Sequence, residues 1–464
     1  MKIGIIGNGI IACSIALKLL SKKNEITIIG KENETGSASI AAGAMNNSYC
    51  EIEDNFFSNI CDRDRFEISK RATAKWPNFL KKIDVDKKFL KNFKNCGTYL
   101  INNSSANSLE DENYNLIIDK LIKDKKKFNV LDPKKIPGYD PLDKQRAIKS
   151  TFIPGEKFLN ANFVLRKIYQ KLKRNNVEFV NYDCEKIYSY TNNSVILSNK
   201  KILKFDTLII AAGADSLNLI KDNFYKKGII QQYYGSGVTI DVYNEHVKIK
   251  NCIRTPNRGL ACGTYVIPQG KNIYRLGSSN KISDKKIFYP DCYSVHGIID
   301  GAICQINQKF KHSKIIKINV GWRPVTLDSY PVIGFVKKTK ILIVTGTRRD
   351  GWHMSPEISD YVTSLIMNQS YKYKNDYKHY SPYRKHLFKI KRKNYLKMIV
   401  DHQFSALLQH GYTSGISYSN EKIKDNIINE ARSILKFHKF KKNLPLPEIY
   451  PYLKYLKSIK QRVI

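Results

Sequence analysis

Two short, largely apolar runs open the chain, with a helix-patterned segment between them. Residues 2–6 and 25–29 have the length and the isoleucine content of buried strands. Between them Ile11, Ile15 and Leu19 recur at intervals of four, which places them on one face of a helix. The order of strand, helix and strand predicts a βαβ unit, the start of an α/β fold with a parallel sheet.

The turn between the first strand and the helix has the residue types that a dinucleotide requires. Gly7 suits a tight turn, Gly9 lets the backbone approach a pyrophosphate, and Ala12 keeps the helix near the sheet. The anion would then lie against the N–H groups at the start of the helix, at Ile10 and Ile11. Because strand, turn, helix and second strand follow at the right distances, we predict a dinucleotide site here.

A signal peptide or a membrane span is an alternative interpretation of this apolar start. A signal peptide has no use for the glycine-rich turn or for the strand that follows it. Lys18, Lys22 and Lys23 interrupt the segment before about 20 apolar residues accumulate, so it is too short to span a bilayer. We therefore expect no membrane-spanning segment and a soluble, cytoplasmic protein.

The remaining patterns predict a discontinuous nucleotide-binding domain, a second domain and a helical extension. Strands are expected at 177–180 and 207–210, whereas 228–280 alternates apolar and polar residues as antiparallel strands do. Residues 370–390 are rich in Lys and Tyr and are typical of a linker, and the apolar stripes beyond them predict helices that pack on each other or on the main body. The predicted domains are 1–50, 151–225 and 315–368 for the nucleotide, 51–150 and 226–314 for the substrate or cap regions, and 369–464 for a basic helical extension.

The charge of the chain is unusual, whereas its hydrophobicity is not. The 464 residues include 79 Lys and Arg against 41 Asp and Glu, a formal net charge of +38. A basic excess of this size is typical of proteins that bind nucleic acid or an anionic membrane surface. Lysine, asparagine, isoleucine and tyrosine are abundant along the whole chain, however, which favours compositional drift and a solvated basic surface. Nucleic acid and peripheral membrane contact are therefore less favoured partners.

The nine cysteines indicate neither a disulfide framework nor a metal centre. Their number is odd, they include no Cys-x-x-Cys pair, and none is spaced with His in the manner of a zinc site. We expect reduced, mostly buried thiols and no metal site.

Six segments, in order along the chain, resemble motifs of the FAD-dependent D-amino-acid oxidase family, which includes glycine oxidase and D-amino-acid dehydrogenases. The resemblance covers roughly residues 1–368, and six motifs in order and at matching spacing are far more specific than any one of them. The stretch Arg349-Asp350-Gly351 is similar to the Arg-Asn-Gly of glycine oxidase and its close relatives. The six segments are 7–12, 36–43, 211–214, 265–268, 321–334 and 345–351.

The resemblance implies a Rossmann-like FAD-binding domain and a mainly antiparallel-sheet substrate domain, to which the patterns above add the helical C-terminal extension. In the family, an arginine like Arg323 binds both oxygens of an amino-acid carboxylate, and a tyrosine like Tyr265 adds a hydroxyl. Arg349 is expected to line the flavin or the substrate pocket, and these three are the catalytic candidates. The residues expected to bind FAD are Gly7, Gly9, Ile10, Ile11, Glu32, Ser39, Ala41, Ala42, Gly43, Ala212, Gly213, Gly321, Gly346, Arg349, Asp350, Gly351 and Trp352.

The chain departs from the family pattern at Gly30, Asp350 and the stretches 233–235 and 352–354. The second strand of this fold ordinarily ends in an acid that holds the adenosine ribose, but Gly30 stands at the expected place. Either Glu32 replaces that acid, or Lys31 and the backbone suffice. Asp350 stands where family neighbours have Asn, which puts an acid near the flavin edge.

Structural alternatives remain for the candidate residues. Arg323 could serve in an interdomain ion pair, and Tyr265 could be a buried strand tyrosine. Arg348 is expected on the surface, and a helix is expected to start at about Pro356.

The predicted activity is FAD-dependent oxidation of the amine of a small amino acid or a related amine, with a hydride passing from the α-carbon to flavin N5. This chemistry needs positioning and no protein acid–base pair, provided that the amine binds in its neutral form. Oxygen or a quinone would reoxidise the flavin.

One alternative function is that of a flavin oxidase that acts on modified tRNA nucleosides, in which the basic charge would bind the RNA. Another is a non-catalytic flavoprotein whose extension docks on a partner or a membrane.

Overall fold

The computed structural model describes residues 1–32, 36–54, 57, 59–104, 108–258, 263–409, 417–440 and 443–461, with the helical backbone alone at 408–409 and 417–419. The helices are α1 (Ile10–Leu19), α2 (Ala38–Ala41), α3 (Ile60–Lys82), α4 (Lys87–Asn95), α5 (Ser108–Lys123), α6 (Ala161–Arg174), α7 (Asn223–Lys226), α8 (Cys292–Gln305), α9 (Gly351–Ile366), α10 (Arg392–Gln409), α11 (Ser417–Phe437) and α12 (Tyr450–Ser458). The strands are β1 (Lys2–Ile6), β2 (Glu25–Ile29), β3 (Met45–Asn46), β4 (Thr98–Asn103), β5 (Asn129–Val130), β6 (Ala147–Ile153), β7 (Lys157–Phe158), β8 (Glu178–Val180), β9 (Cys184–Ser189), β10 (Ser194–Leu197), β11 (Ile202–Lys204), β12 (Thr207–Ile210), β13 (Gln232–Tyr243), β14 (Cys252–Arg254), β15 (Tyr265–Gly270), β16 (Ile273–Gly277), β17 (Lys281–Ser283), β18 (Lys314–Thr326), β19 (Val332–Phe335) and β20 (Ile341–Thr345).

A six-stranded sheet forms the first layer, in the order β19-β20-β12-β1-β2-β8. Strand β1 runs parallel to both of its neighbours, so that Ile5 pairs with Ile28 on one side and with Ile209 on the other. Helices α1, α3, α6 and α9 bury their apolar faces on one side of this sheet. The small antiparallel sheet of β9, β10 and β11 covers the other side. Both faces of the parallel strands are therefore buried, which explains their isoleucine-rich sequences.

A nine-stranded sheet forms the second layer, in the order β17-β13-β16-β15-β14-β4-β6-β5, with β18 also paired to β13. Its pairs are antiparallel except that of β14 with β4. Helix α8 packs its buried residues Ile298 and Ala302 on this sheet. The predicted fold class, a Rossmann-like α/β domain with a mainly antiparallel second domain, is confirmed.

The 321–324 motif lies within one long strand of the second sheet. Strand β18 continues without a break through this motif and belongs to the nine-stranded sheet, where Gly321 pairs with Gly237 and Arg323 with Gly235 of β13. The domain boundaries stay a prediction, although β18 lies in the second sheet and not in the first.

The C-terminal extension packs on the main body. Its helices α10, α11 and α12 share an apolar cluster with residues of β13, β17 and β18. The segment 370–390, where a linker stays a prediction, contains a 3₁₀ helix at Lys374–Tyr380. Tyr377 and Tyr380 of that helix are buried in the core of the first layer.

No helix among the described residues is long and apolar enough to cross a bilayer. Across the same residues, no group of three or more His, Cys, Asp or Glu side chains is placed to hold a metal ion. The described cysteines are free thiols, and Cys262 lies outside the described residues.

Candidate active site

A cavity of about 470 Å³ lies where the carboxyl ends of β1, β2, β12 and β20 meet the second sheet. Ligands of open parallel sheets bind at this edge, because the chain leaves the strands there and opens a crevice. The predicted site residues that line the cavity are Gly7, Gly9, Ile10, Ile11, Ser39, Ala41, Ala42, Gly43, Ala212, Gly213, Tyr265, Gly321, Arg323, Arg349, Asp350, Gly351 and Trp352. The fold thus brings together residues that are scattered over most of the chain.

The first turn exposes bare backbone to the cavity. Gly7 has a left-handed φ of +108°, and a Cβ there would lie 2.3 Å from the carbonyl oxygen of Ala211. Gly9 precedes α1 and makes no side-chain capping bond, and its Cβ would lie 2.9 Å from Ser39 Oγ. The N–H of Ile10 donates to that hydroxyl at 3.0 Å. Only glycines leave room for a phosphate at such a turn.

A buried arginine that the sequence analysis missed holds the 36–43 segment at the cavity wall. Arg275 of β16 pairs with Asp241 of β13, Nε to Oδ1 at 2.7 Å. Its Nη1 donates to the carbonyl oxygens of Ile40 at 3.0 Å and Ala42 at 2.6 Å. The small residues of this segment keep their backbone close to the cavity because the second sheet binds their carbonyls. No local sequence signal marks Arg275, since its partners lie far away along the chain.

Arg323 presents its guanidinium on the cavity wall, beside β13. Its Nη1 donates to the carbonyl oxygen of Ser279 at 2.8 Å and to Asn280 Oδ1 at 3.3 Å. A Cβ on Gly237 would lie 2.2 Å from the same Nη1. In the part of the chain that the structure describes, Arg323 forms no ion pair with a carboxylate, so the alternative of an interdomain ion pair is not observed there. The cavity wall therefore holds a positive charge that these residues leave uncompensated.

Tyr265 is buried at the start of β15, on the side of the second sheet that faces the 36–43 segment. A Cβ on Gly277 would lie 2.2 Å from Tyr265 Cζ, so the hydroxyl end of the ring lies directly against this glycine. The Tyr265 hydroxyl lies 3.0 Å from where a Cβ of Gly43 would be. Two glycines thus leave the space that lets this ring reach the cavity.

Arg349 and Asp350 belong to a buried network of opposite charges. Arg349 pairs with Glu53 and lies 3.7 Å from Glu51, while Arg65 of α3 donates through Nε to Asp350 Oδ2 at 2.9 Å. Burial by itself would raise the pKa of Glu53, but the nearby guanidinium groups, that of Arg349 first, lower it to about 2. Burial opposes the ionisation of Asp350 as well, and Arg65 outweighs it, so the pKa of Asp350 lies below its ordinary value. Both carboxyls are charged at neutral pH.

The prediction that Arg348 lies on the surface is wrong. Its side chain is only 10% exposed and forms two hydrogen bonds with Glu448 of the C-terminal extension, one of them from Nε to Oε2 at 3.0 Å. Its Nη1 also donates to Ser329 Oγ at 3.1 Å. The sequence could not show this, because Glu448 is 100 residues away.

The segment 346–352 differs from two expectations, the start of the helix near Pro356 and the place of Gly346 at the cofactor. Helix α9 begins at Gly351 and not near Pro356, so Trp352 lies in its first turn, where its Nε1–H donates to the carbonyl oxygen of Ser39 at 2.8 Å. Gly346 does not line the cavity: it has a φ of +72°, and its Cβ would lie 2.8 Å from Thr326 Cγ2. That glycine serves the packing of the turn on β18.

The geometry does not support Glu32 as the ribose acid. Its carboxylate bonds Lys173 Nζ at 2.9 Å, and Glu32 is not among the residues that line the cavity. Asp183 and Glu185, beside Gly30, are carboxylates that do line this end. They lie more than 150 residues beyond β2 in the sequence, so the rule that places this acid at the end of the second strand does not predict them.

The sequence matches the model of one protein family, described as FAD dependent oxidoreductase, over residues 2–365. No curated protein matches the chain.

Several solved structures share the fold. Glycine oxidase from Geobacillus kaustophilus superposes with a TM-score of 0.70 at 16% identity, over 82% of this chain and 98% of that one. Iminodiacetate oxidase from Chelativorans sp. BNC1 gives 0.68 at 15% identity, over 82% and 98%. L-proline dehydrogenase from P. horikoshii gives 0.66 at 18% identity, over 82% and 96%. These likenesses establish the arrangement of both sheets and leave the substrate open.

Proposed function

The chain belongs to the FAD-dependent oxidoreductase family, and on that premise we propose that it oxidises the amine of a small amino acid or a related carboxylated amine. The cofactor of the family is FAD. The glycine oxidase, iminodiacetate oxidase and L-proline dehydrogenase that share the fold are named for substrates that carry both an amine and a carboxylate. This shared chemistry supports the same class of substrate here.

The lining of the cavity fits FAD. Gly7 and Gly9 would hold the diphosphate at the start of α1, because a side chain at either position would collide with Ala211 or Ser39. The small residues 37–43 would hold the ribityl chain and the flavin ring. When bound, FAD supplies the acceptor for the hydride that leaves the carbon next to the amine.

Arg323 carries the proposal for the substrate. A guanidinium with no carboxylate partner among the described residues, at the wall of the cavity, is suited to bind both oxygens of a substrate carboxylate. Its Nη1 is already held by Ser279 and Asn280, so part of the cost of ordering the side chain is met before the ligand arrives. We propose that Arg323 fixes the substrate in this way and that Tyr265 contributes its hydroxyl beside it.

No residue needs to accept a proton from carbon in this proposal. The substrate amine loses a proton when it binds in its neutral form, and the C–H electrons leave as a hydride, so positioning is the main contribution of the protein. Glu51 also lines the cavity, and it is bound by Arg254 Nη1 at 2.8 Å. We propose that Glu51 does not accept a proton. Its carboxylate is instead a fixed negative charge near the amine.

The experiment that tests the proposal is reduction of the protein-bound flavin by candidate substrates without oxygen. The purified protein with FAD is mixed anaerobically with glycine, sarcosine, iminodiacetate, proline and a panel of D-amino acids, and the loss of flavin absorbance is followed. At least one carboxylated amine should bleach the flavin, and its decarboxylated analogue should do so much more slowly. Turnover with oxygen and with a soluble quinone then identifies the electron acceptor.

The variant Arg323→Ala tests the proposed role of Arg323 in binding the substrate carboxylate. It should retain FAD and should need about tenfold to a hundredfold more substrate, because a bidentate charge-assisted contact is worth roughly 1.5–3 kcal/mol. Bleaching by a carboxylated amine at equal concentrations in both proteins would show that the carboxylate is bound elsewhere. A flavin that no amine or imine reduces would overturn the proposed activity.

A further inference from the structure

The C-terminal extension contacts Arg348, which lines the candidate active site. It lies beyond residue 365, where the match to the family model ends. Glu448 stands in a 3₁₀ helix directly before α12, and it is 6% exposed. A second cavity of about 90 Å³ lies between the extension and the main body, and Glu448 lines it together with Arg348, Arg349 and Asp350. Arg348, Arg349 and Asp350 also line the larger cavity.

Two residues, Asn280 and Arg348, connect Glu448 to the surroundings of Arg323. Asn280 Nδ2 donates to Glu448 Oε2 at 3.3 Å, and Asn280 Oδ1 accepts from Arg323 Nη1 at 3.3 Å. On the other side, Arg348 Nε donates to the same Glu448 Oε2 at 3.0 Å. The backbone N–H of Arg348 in turn donates to the carbonyl oxygen of Pro324, the residue after Arg323, at 3.0 Å.

We propose that Glu448 is a positioning residue for the substrate carboxylate site, acting on Arg323 through Asn280 and Arg348. This inference rests on the proposed role of Arg323. The Glu448 carboxylate accepts a hydrogen bond from the Asn280 amide, which turns the amide oxygen of Asn280 toward Arg323. It also holds the loop that hydrogen-bonds the backbone of β18 next to Arg323.

The charge of Glu448 fits this role. A carboxylate placed directly on Arg323 would neutralise the guanidinium and compete with the substrate. Glu448 instead pairs with Arg348, and only a neutral amide lies between it and Arg323. Arg323 is thereby oriented without losing the charge that would attract a carboxylate.

Docking of the extension alone does not require this glutamate. The apolar cluster that includes Tyr395, Ile399 and Leu453 already joins the extension to Tyr233 and Val325 of the second sheet. A buried charge in this contact costs desolvation and must be compensated. The placement of Glu448 between Asn280 and Arg348 is therefore better explained by the site that it orders.

The test measures how tightly the full-length protein with FAD binds benzoate, a carboxylate without an oxidisable amine. Binding is followed through the absorbance of the flavin. Glu448→Ala and Asn280→Ala should each raise the dissociation constant for benzoate about tenfold, the loss expected for one hydrogen bond in the chain of contacts. Glu448→Gln keeps an oxygen for Asn280 and should lie between wild type and Glu448→Ala. With a substrate, KM should rise while kcat stays within about twofold.

Glu430→Gln is the control in the extension, because Glu430 pairs with Lys454 and Tyr450 away from the cavity. It should bind benzoate as wild type does. In the double variant, the loss of Asn280 should remove most of the effect of Glu448→Ala, as expected for two residues that act in one chain.

The outcomes separate the two proposals. Equal benzoate affinity in wild type and Arg323→Ala would defeat the proposed role of Arg323, and this inference with it. Weaker binding in Arg323→Ala but unchanged binding in Glu448→Ala and Asn280→Ala would overturn only the role of Glu448. Full additivity of the two single effects in the double variant would overturn that role as well. If Glu448→Ala does not fold, unchanged binding in Asn280→Ala overturns the inference by itself.

Discussion

The guanidinium of Arg323 lies directly over Gly237 of the neighbouring strand. A Cβ on Gly237 would be 2.2 Å from Nη1 and 2.3 Å from Cζ of Arg323, distances at which no side chain can coexist with the arginine in its present position. The residue that pairs with Arg323 across the two strands, Gly235, is also a glycine. The orientation of Arg323 therefore depends on the absence of side chains on β13 as much as on its own hydrogen bonds.

Gly237→Ala should displace the arginine and weaken the binding of carboxylates. We expect the dissociation constant of the FAD-loaded protein for benzoate to rise about tenfold to a hundredfold, since a charge-assisted contact is lost. FAD content should stay unchanged. Gly155→Ala is the control, because nothing lies within 4 Å of a Cβ at Gly155. Wild-type benzoate affinity in Gly237→Ala would contradict the placement of Arg323.

Gly7→Ala should remove FAD. The residue would have to keep a φ of +108° and place its Cβ 2.3 Å from the Ala211 carbonyl, so the turn must move, and forcing a non-glycine residue into such a conformation costs about 1–3 kcal/mol. We expect the purified variant to contain at most about a tenth of the flavin per protein that wild type contains. The ratio of flavin to protein absorbance measures this. A variant that retains its full flavin content would refute the assignment of this turn to the diphosphate.

Asp350→Asn should destabilise the protein. The side chains of Arg65 and Asp350 are only 10% and 11% exposed, and removing one partner of a buried pair leaves an uncompensated charge that costs about 3–5 kcal/mol. Denaturant unfolding followed by circular dichroism should show this loss. The control is Glu32→Gln, which breaks an exposed pair with Lys173 and should cost less than about 1 kcal/mol. Equal losses in both variants would argue that the Arg65 pair contributes no more than a surface contact.

His353 should make the protein less stable in mild acid. Burial lowers its pKa from 6.5 to about 4, so the unfolded chain binds a proton between these pH values while the folded chain does not. The contribution of His353 to the free energy of unfolding is therefore fully present above pH 6.5. It is lost as the pH drops toward 4, by up to about 3 kcal/mol. His353→Gln cannot take up this proton. Its free energies of unfolding at pH 7 and at pH 4.5 should therefore differ by less than those of wild type do. An identical pH dependence in both proteins would exclude this role of His353.

The nucleotide end of the site could be predicted because its determinants are local. A strand, a turn with Gly7 and Gly9, and a helix beginning at Ile10 follow within a dozen residues, and backbone sterics restrict each position. The structure places all three residues at the cavity. Glu32 shows the opposite case: the structure pairs it with Lys173, which is 141 residues away, and nothing near position 32 indicates that partner.

The substrate end could be predicted only in part. The resemblance pointed to Arg323 and Tyr265, and both line the cavity, although their roles stay a prediction. The residues that orient this end were missed, among them Arg275 and Glu448. Each acts through hydrogen bonds to distant segments, and in the sequence it looks like an ordinary charged residue of a very basic chain.

The sequence by itself determined the βαβ start, the antiparallel strands within 228–280, and the two glycines that a diphosphate needs, because steric and hydrophobic preferences act between near neighbours. Only the tertiary structure decided that the extension contacts Arg348 at the site through Glu448, and that Arg323 remains without a carboxylate partner among the described residues. Electrostatic pairing depends on distances through space, and these are set only when both sheets and the extension have packed together.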